Sequence, residues 1–155
     1  MSYQSRGRTF DHFEEDEVIT TPRRTITENA IERFAGLSGD FNPLHTDEEF
    51  ARETPFGTRI AHGMLVAAIA TGLANQSGVF EGTTIALLQQ TIRYKEAVFP
   101  GDTVHLELTV AGKRESSKPD RGLITFDAAV KNQRDETVID GQWVLLMRRE
   151  SPDDQ

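Results

Sequence analysis

The chain has 155 residues, no cysteine, and 17 Lys and Arg against 25 Asp and Glu, a net charge of −8. That length suits one domain with its own core and leaves no room for a second of ordinary size. The missing cysteines exclude disulfides, thiolate metal centres and cysteine nucleophiles, and the acidic balance argues against nucleic acid or an anionic membrane as a partner held by bulk charge.

Hydrophobic residues at 37% and charged residues at 27% are the proportions of a soluble globular protein. The longest apolar run, Met64 to Ala70, is seven residues, far below the roughly 18 that a membrane span needs. Met1 to Thr9 is polar and has no apolar signal core, so a cytoplasmic location is expected. Residues 1–8 and 150–155 carry no apolar period and are expected to be loose.

The first predicted helix runs from Glu28 to Leu37. Thr27 is its N-cap, and Ile26 and Ile31 stand at the spacing of a hydrophobic staple. Thr25 with Glu28 offers a competing start as a capping box. Ile31, Phe34 and Ala35 form the buried face, and Gly36 and Gly39 weaken and stop the helix. Asp40 to His45 reads as a loop, because Pro43 lacks an N–H and drives Asn42 toward extended dihedrals. A short helix follows, with Thr46 and Glu49 as its capping box and Phe50 and Ala51 as its buried side, ended by Pro55-Phe56-Gly57. Ile60 to Asn75 predicts a helix that is apolar on every side and carries no charge between His62 and Asn75. Such a helix is buried all round, so something must wrap it.

The second half supplies the wrapper. Apolar residues alternate at Val104, Leu106, Leu108 and Val110, at Ile124, Phe126, Ala128 and Val130, and at Ile139, Trp143, Leu145 and Met147. Period-two alternation marks strands with one buried face, and the short polar link Asn132 to Glu136 implies an antiparallel hairpin. Thr84 to Phe99 predicts a further strand. Pro100 and Gly101 take the central positions of a turn ending at Asp102. With helices first and strands second, the expectation is an α+β domain: one curved antiparallel sheet around one buried helix.

Chemistry concentrates in Ser38-Gly39-Asp40-Phe41-Asn42-Pro43-Leu44-His45 and Ile60-Ala61-His62-Gly63-Met64. On a continuous helix Asp40 and His45 would diverge by about 140°. On a Pro-bent loop they can converge, and a carboxylate and an imidazole meeting at one water are the parts of general acid–base catalysis. Asn42 can orient either side chain through its amide, and the ring of His62 can brace the loop. Gly63 opens the buried helix, so its N–H is an unpaired donor at the positive end of the dipole. His45, Asp47 and His62 also offer a metal-ligand set, for which neither spacing nor ligand softness argues.

The run from Phe34 to Ala51, with Ser-Gly-Asp-Phe-Asn-Pro-Leu-His at its centre, resembles the hydratase signature of the MaoC-like (R)-specific enoyl-CoA hydratases. Ile60 to Leu65 resembles that family's second block, and Gln90 with Phe99-Pro100-Gly101-Asp102 its third. The resemblance implies a hotdog fold, a long helix wrapped by an antiparallel sheet, in a homodimer or higher oligomer. It implies Asp40 and His45 as the catalytic pair and the Gly63 amide as the donor to the thioester oxygen. Asn42, His62, Gly63 and Thr71 become the substrate-binding set, Thr71 standing where relatives often have serine. The implied reaction is hydration of a trans-2-enoyl-CoA, which needs neither a metal nor a redox cofactor. The CoA phosphates call for a local basic group, with Arg93, Lys95, Arg114, Lys118 and Arg121 as candidates. A hotdog thioesterase and a non-catalytic acyl-thioester-binding protein are the alternative readings.

Overall fold

A computed structural model describes residues 3–150. Its elements in chain order are β1 (Val18–Thr20), β2 (Arg24–Thr25), α1 (Glu28–Ser38), α2 (Pro43–Thr46), α3 (Glu48–Arg52), α4 (Gly63–Gln76), β3 (Thr84–Gln90), β4 (Arg93–Tyr94), β5 (Thr103–Glu115), β6 (Arg121–Lys131) and β7 (Thr137–Arg148). A single 3-10 turn at Phe10–His12 precedes them.

The alternating runs form the three long strands as predicted, and the hairpin pairings β5–β6 and β6–β7 are antiparallel. The sheet order is β1-β5-β6-β7-β3, with β2 on β5 and β4 on β7. Leu106, Leu108, Ile124, Phe126, Val138 and Met147 are fully buried on its concave face. Two strands precede α1, so helices do not come strictly first. At three and two residues, β1 and β2 are too short to display a period.

The expected strand from Thr84 to Phe99 breaks in two. β3 ends at Gln90 and β4 resumes at Arg93 because the chain steps past Gly141 of β7. There the Thr91 N–H donates to the Gln142 carbonyl at 2.9 Å, and a Cβ on Gly141 would run into the Thr91 carbonyl oxygen. The turn at residues 99–102 forms as predicted. Gly101 takes φ 94°, a region open to glycine, and the Asp102 N–H closes the turn on the Phe99 carbonyl at 3.0 Å. Ile26 N–H donates to the Asp102 carbonyl and Gly101 N–H to the Ile26 carbonyl, which fastens the entry to α1 onto the sheet.

α1 starts on the Thr27 cap, whose side chain accepts the Ala30 N–H. It ends on Gly39 at φ 79°. α4 begins at Gly63 as expected, and before it the N–H groups of Ile60 and Ala61 donate to the Leu44 and Val98 carbonyls. Burial of α4 is one-sided, which corrects the expectation of an all-round enclosure. Leu65, Val66, Ile69, Ala70, Leu73 and Ala74 face the core, while Met64 is 58% exposed and Ala68 and Gly72 continue an open stripe at a spacing of four. One sheet curves around one side of the helix, and among the described residues the stripe on the other side stays open.

Of the ends expected to be loose, residues 1–2 and 151–155 lie outside the described residues. Nearer the domain, the N–H groups of Gly7 and Arg8 donate to the Glu81 and Val79 carbonyls, and Arg8 grips Glu17 with two hydrogen bonds.

Gly141→Ala should destabilise the fold by about 2–4 kcal/mol in urea unfolding, since backbone must move. Gly36→Ala, at a helix position with open space around it, should instead stabilise by about 0.5–1 kcal/mol.

Candidate active site

Three side-chain turns build the segment that carries Asp40 and His45. Ser38 accepts the Asp40 N–H at 3.2 Å, Asp40 Oδ1 accepts the Asn42 N–H at 3.2 Å, and Asn42 Oδ1 accepts the Leu44 N–H at 3.1 Å. Asn42 is therefore the N-cap of α2, and Pro43 sits in its first turn, where a missing N–H costs nothing. This corrects the expectation of a loop through His45, which is carried on a one-turn helix. Asp47, not Thr46, caps α3 by accepting the Phe50 N–H, while Thr46 turns back to the Phe41 and Asn42 carbonyls. Ala51 is buried as expected, but Phe50 is 49% exposed, because a helix of five residues offers only a narrow contact.

This geometry brings together the residues that sequence spacing left open. One carboxylate oxygen of Asp40 and one ring nitrogen each of His45 and His62 lie within 4.8 Å of one another. The two imidazoles stack, with centroids 3.9 Å apart and planes 29° apart, and Phe34 stands edge-on to His62 at 5.0 Å. Asp47, weighed as a metal ligand with His45 and His62, is spent as a cap, and Asp40 takes the place beside them.

Hydrogen bonding fixes both tautomers. The Ile60 carbonyl can only accept, so His45 Nδ1 carries the hydrogen in their 2.7 Å bond, and Nε2 of the neutral ring is left with a free lone pair. By the same reasoning His62 Nε2 donates to the Asp40 carbonyl at 2.9 Å. His62 is 2% exposed, and its Nδ1 is buried without a partner. Its Nε2 is spent on the protein backbone, so His62 braces Asp40 and, by stacking, His45.

A pocket of about 420 Å3 opens over this cluster, lined by Asp40, His45, His62, Gly63, Tyr94 and Val98 among others. The Gly63 N–H heads α4 and has no partner among the described residues. A Cβ at Gly63 would collide with the ring of Tyr94, so the neighbour that requires glycine is an aromatic ring. Asn42 and Thr71 are absent from the pocket lining. Thr71 stands about 12 Å along α4 from Gly63, its hydroxyl donating to the Ala68 carbonyl at 2.6 Å. Of the basic candidates, Lys95 lines the pocket, Arg93 holds Asp140 at 2.7 Å, and Arg121 holds Asp120. Arg114 and Lys118 lie toward the opposite end of the sheet.

No local pattern marks Tyr94 or Val98 as pocket residues, nor the clamp that closes the segment. Arg59 reaches Glu48 of α3 and Glu28 of α1, both at 2.8 Å, and the Thr58 hydroxyl donates to Glu48. Hydrogen bonds from Arg59 and then Thr58 hold the Glu48 carboxyl below its usual range. Opposite charges 11 and 31 residues apart leave no local pattern to read.

A helix held against one curved antiparallel sheet, with a carboxylate, an imidazole and a free helix-end amide at its opening, is a hotdog fold with a polar site at the head of its helix. Residues 10–132 match the family described as MaoC like domain. An (R)-specific enoyl-CoA hydratase of Rhodospirillum rubrum is 35% identical over 124 residues, 80% of this chain and 81% of the relative. A 3-hydroxybutyryl-CoA dehydratase of Methylorubrum extorquens is 30% identical over 145 residues, 92% of this chain and 88% of the relative. The crystal structure of a MaoC-like dehydratase from Rhodospirillum rubrum superposes with a TM-score of 0.86 at 30% identity, covering 94% of this chain and 99% of that one. This chain belongs to the MaoC-like family.

Arg59→Met should speed amide hydrogen exchange at Ile60 and Ala61 while the amides of β5–β7 keep their protection. Acid should act alike. A carboxyl with a lowered folded pKa contributes stability above its unfolded pKa and loses it as pH falls through the folded one, so the clamp should survive the ordinary carboxylate range and open below it.

Proposed function

We propose that the chain catalyses reversible addition of water to a trans-2-enoyl-CoA, giving the (R)-3-hydroxyacyl-CoA, with Asp40 and His45 as the acid–base pair. The observation that carries this reading is the convergence of the Asp40 carboxylate and the His45 ring beside the unpaired Gly63 N–H. Hydratase and dehydratase relatives over most of the chain support the reaction class.

In the forward direction Asp40 and His45 hold a water against the β-carbon and remove one of its protons. The water oxygen bonds to that carbon, and the electron pair of the double bond moves toward the thioester carbonyl. The enolate oxygen receives the Gly63 N–H at the positive end of α4, so charge develops where a donor already waits. The same pair returns one proton to the α-carbon, and the sum is one water added. No electron transfer enters the balance. The apolar floor of the pocket, Val66, Val98 and Ile139, takes the acyl chain.

A homodimer fits the exposed apolar surface. β3 is an edge strand with Ile85, Leu87 and Leu88 at 40–54% exposure, and an unpaired apolar edge invites a second copy. Light scattering should give twice the chain mass, and Leu88→Glu should shift it toward one chain.

Asp40→Asn and His45→Gln should remain folded by circular dichroism while hydration of crotonyl-CoA falls by about 10²–10⁴-fold. Hydration near the native rate in either variant would refute the assignment. Thiol release measured beside loss of enoyl absorbance should remain negligible, which separates hydration from thioester hydrolysis.

A further inference from the structure

A thioester carried by a phosphorylated handle must approach a protein of net charge −8, so positive potential has to be concentrated locally. Most of the cations are already committed. Arg93 and Lys95, nearest the pocket, share Asp140 at 2.7 and 3.5 Å, and Arg121 is held by Asp120. Lys113 lies over the Phe10 ring and donates to the Phe13 carbonyl. Among the described residues, Lys113 apart, the basic side chains with no carboxylate within 4.0 Å are Arg23, Arg24, Arg33, Arg114, Lys118 and Arg148.

Strand register separates these by location. Arg114 stands opposite Leu123, and Arg148 opposite Arg121. Ile139 lines the catalytic pocket, and Arg148 lies nine residues further along β7, about 30 Å away. Arg24 stands opposite Val104 at the start of β5, two residues from Leu106, whose row crosses Val130 to reach Ile139. The free cations at the pocket end are therefore those on β2 and α1.

Arg24 and Arg33 line one groove of about 520 Å3 together with Thr27, Phe34, Leu37 and Leu65. Phe34 links this groove to the site, since its ring also touches that of His62. Leu65 lines the groove while its neighbours Met64 and Val66 line the catalytic pocket. Groove and pocket thus flank the first turn of α4. Leu37, 85% exposed, gives the groove an apolar rim. Planar guanidinium forks match phosphate oxygens two at a time.

We infer that this groove is the phosphate subsite for the carrier of the acyl thioester, either coenzyme A or the phosphopantetheine arm of a carrier protein. The inference rests on the thioester reading above and goes beyond it by placing the handle. The double variant Arg24→Glu, Arg33→Glu tests it against crotonyl-CoA, crotonyl carrier protein and the phosphate-free N-acetylcysteamine thioester. KM for crotonyl-CoA should rise about tenfold or more, with a far smaller change for the phosphate-free thioester, and calorimetry should show free coenzyme A binding weakened to match. A larger rise for the carrier protein than for CoA would assign the subsite to the carrier's arm; the reverse order would assign it to CoA. Arg114→Glu with Arg148→Glu, at the distant end of the sheet, should leave all three substrates as they were. Equal losses with and without phosphate, or unchanged affinity for free coenzyme A, would overturn the subsite. A native protein that binds coenzyme A through these arginines yet hydrates no enoyl thioester would overturn the reaction and leave the subsite standing.

Discussion

A carbonyl oxygen accepts hydrogen bonds and cannot donate them, and two carbonyls, those of Asp40 and Ile60, set the chemistry of this site. Each takes the N–H of an imidazole, at 2.9 Å from His62 and 2.7 Å from His45. The protonation pattern of both rings follows from the backbone around them. His45 is left with its acceptor nitrogen free, and His62 is locked as a brace whose ring stacks on its neighbour. Asp40 and His62 are joined by a hydrogen bond, and His45, tied to the Ile60 carbonyl, stacks on His62, so the three side chains form one packed cluster.

That unit depends on a segment with little core of its own. α2 and α3 span four and five residues and bury chiefly Ala51. Their position comes from polar ties: the Asx turns of Asp40 and Asn42, and the clamp of Arg59 on Glu48 and Glu28. The sheet and α4 provide the rigid frame, and the turn at residues 99–102 fastens the entry of α1 to it. A site on polar ties above a packed core can hold its geometry and still open locally without disturbing that core.

Charge is organised in the same economical way. The chain is acidic overall, yet its cations are mostly paired at short range, and the few left free are segregated to opposite ends of the sheet. Net charge therefore says little about where an anion can bind. What decides it is which guanidinium groups lack a carboxylate neighbour, and that is a property of the folded surface.

Local physics made much of the molecule legible. Alternation at Val104 to Val110 and Ile124 to Val130 marked strands because neighbouring side chains on a strand point to opposite faces. Thr27, Gly39 and Pro100-Gly101 marked ends and turns because each satisfies a backbone requirement within a few residues. The motif around Asp40 and His45 located the candidate site for a related reason, since Asp and Asn side chains make their turns with the next two residues. Asn42-Pro43 misled where the same chemistry serves both a loop and the first turn of a helix, and α4 misled because apolar composition cannot say which face a neighbour covers. Tertiary structure alone decided the stacking of His45 on His62, the Tyr94 ring against Gly63, the Arg59 clamp and the isolation of Arg24 and Arg33. Each joins groups distant in sequence, and the interaction exists only once the sheet has closed around α4 and brought them within reach.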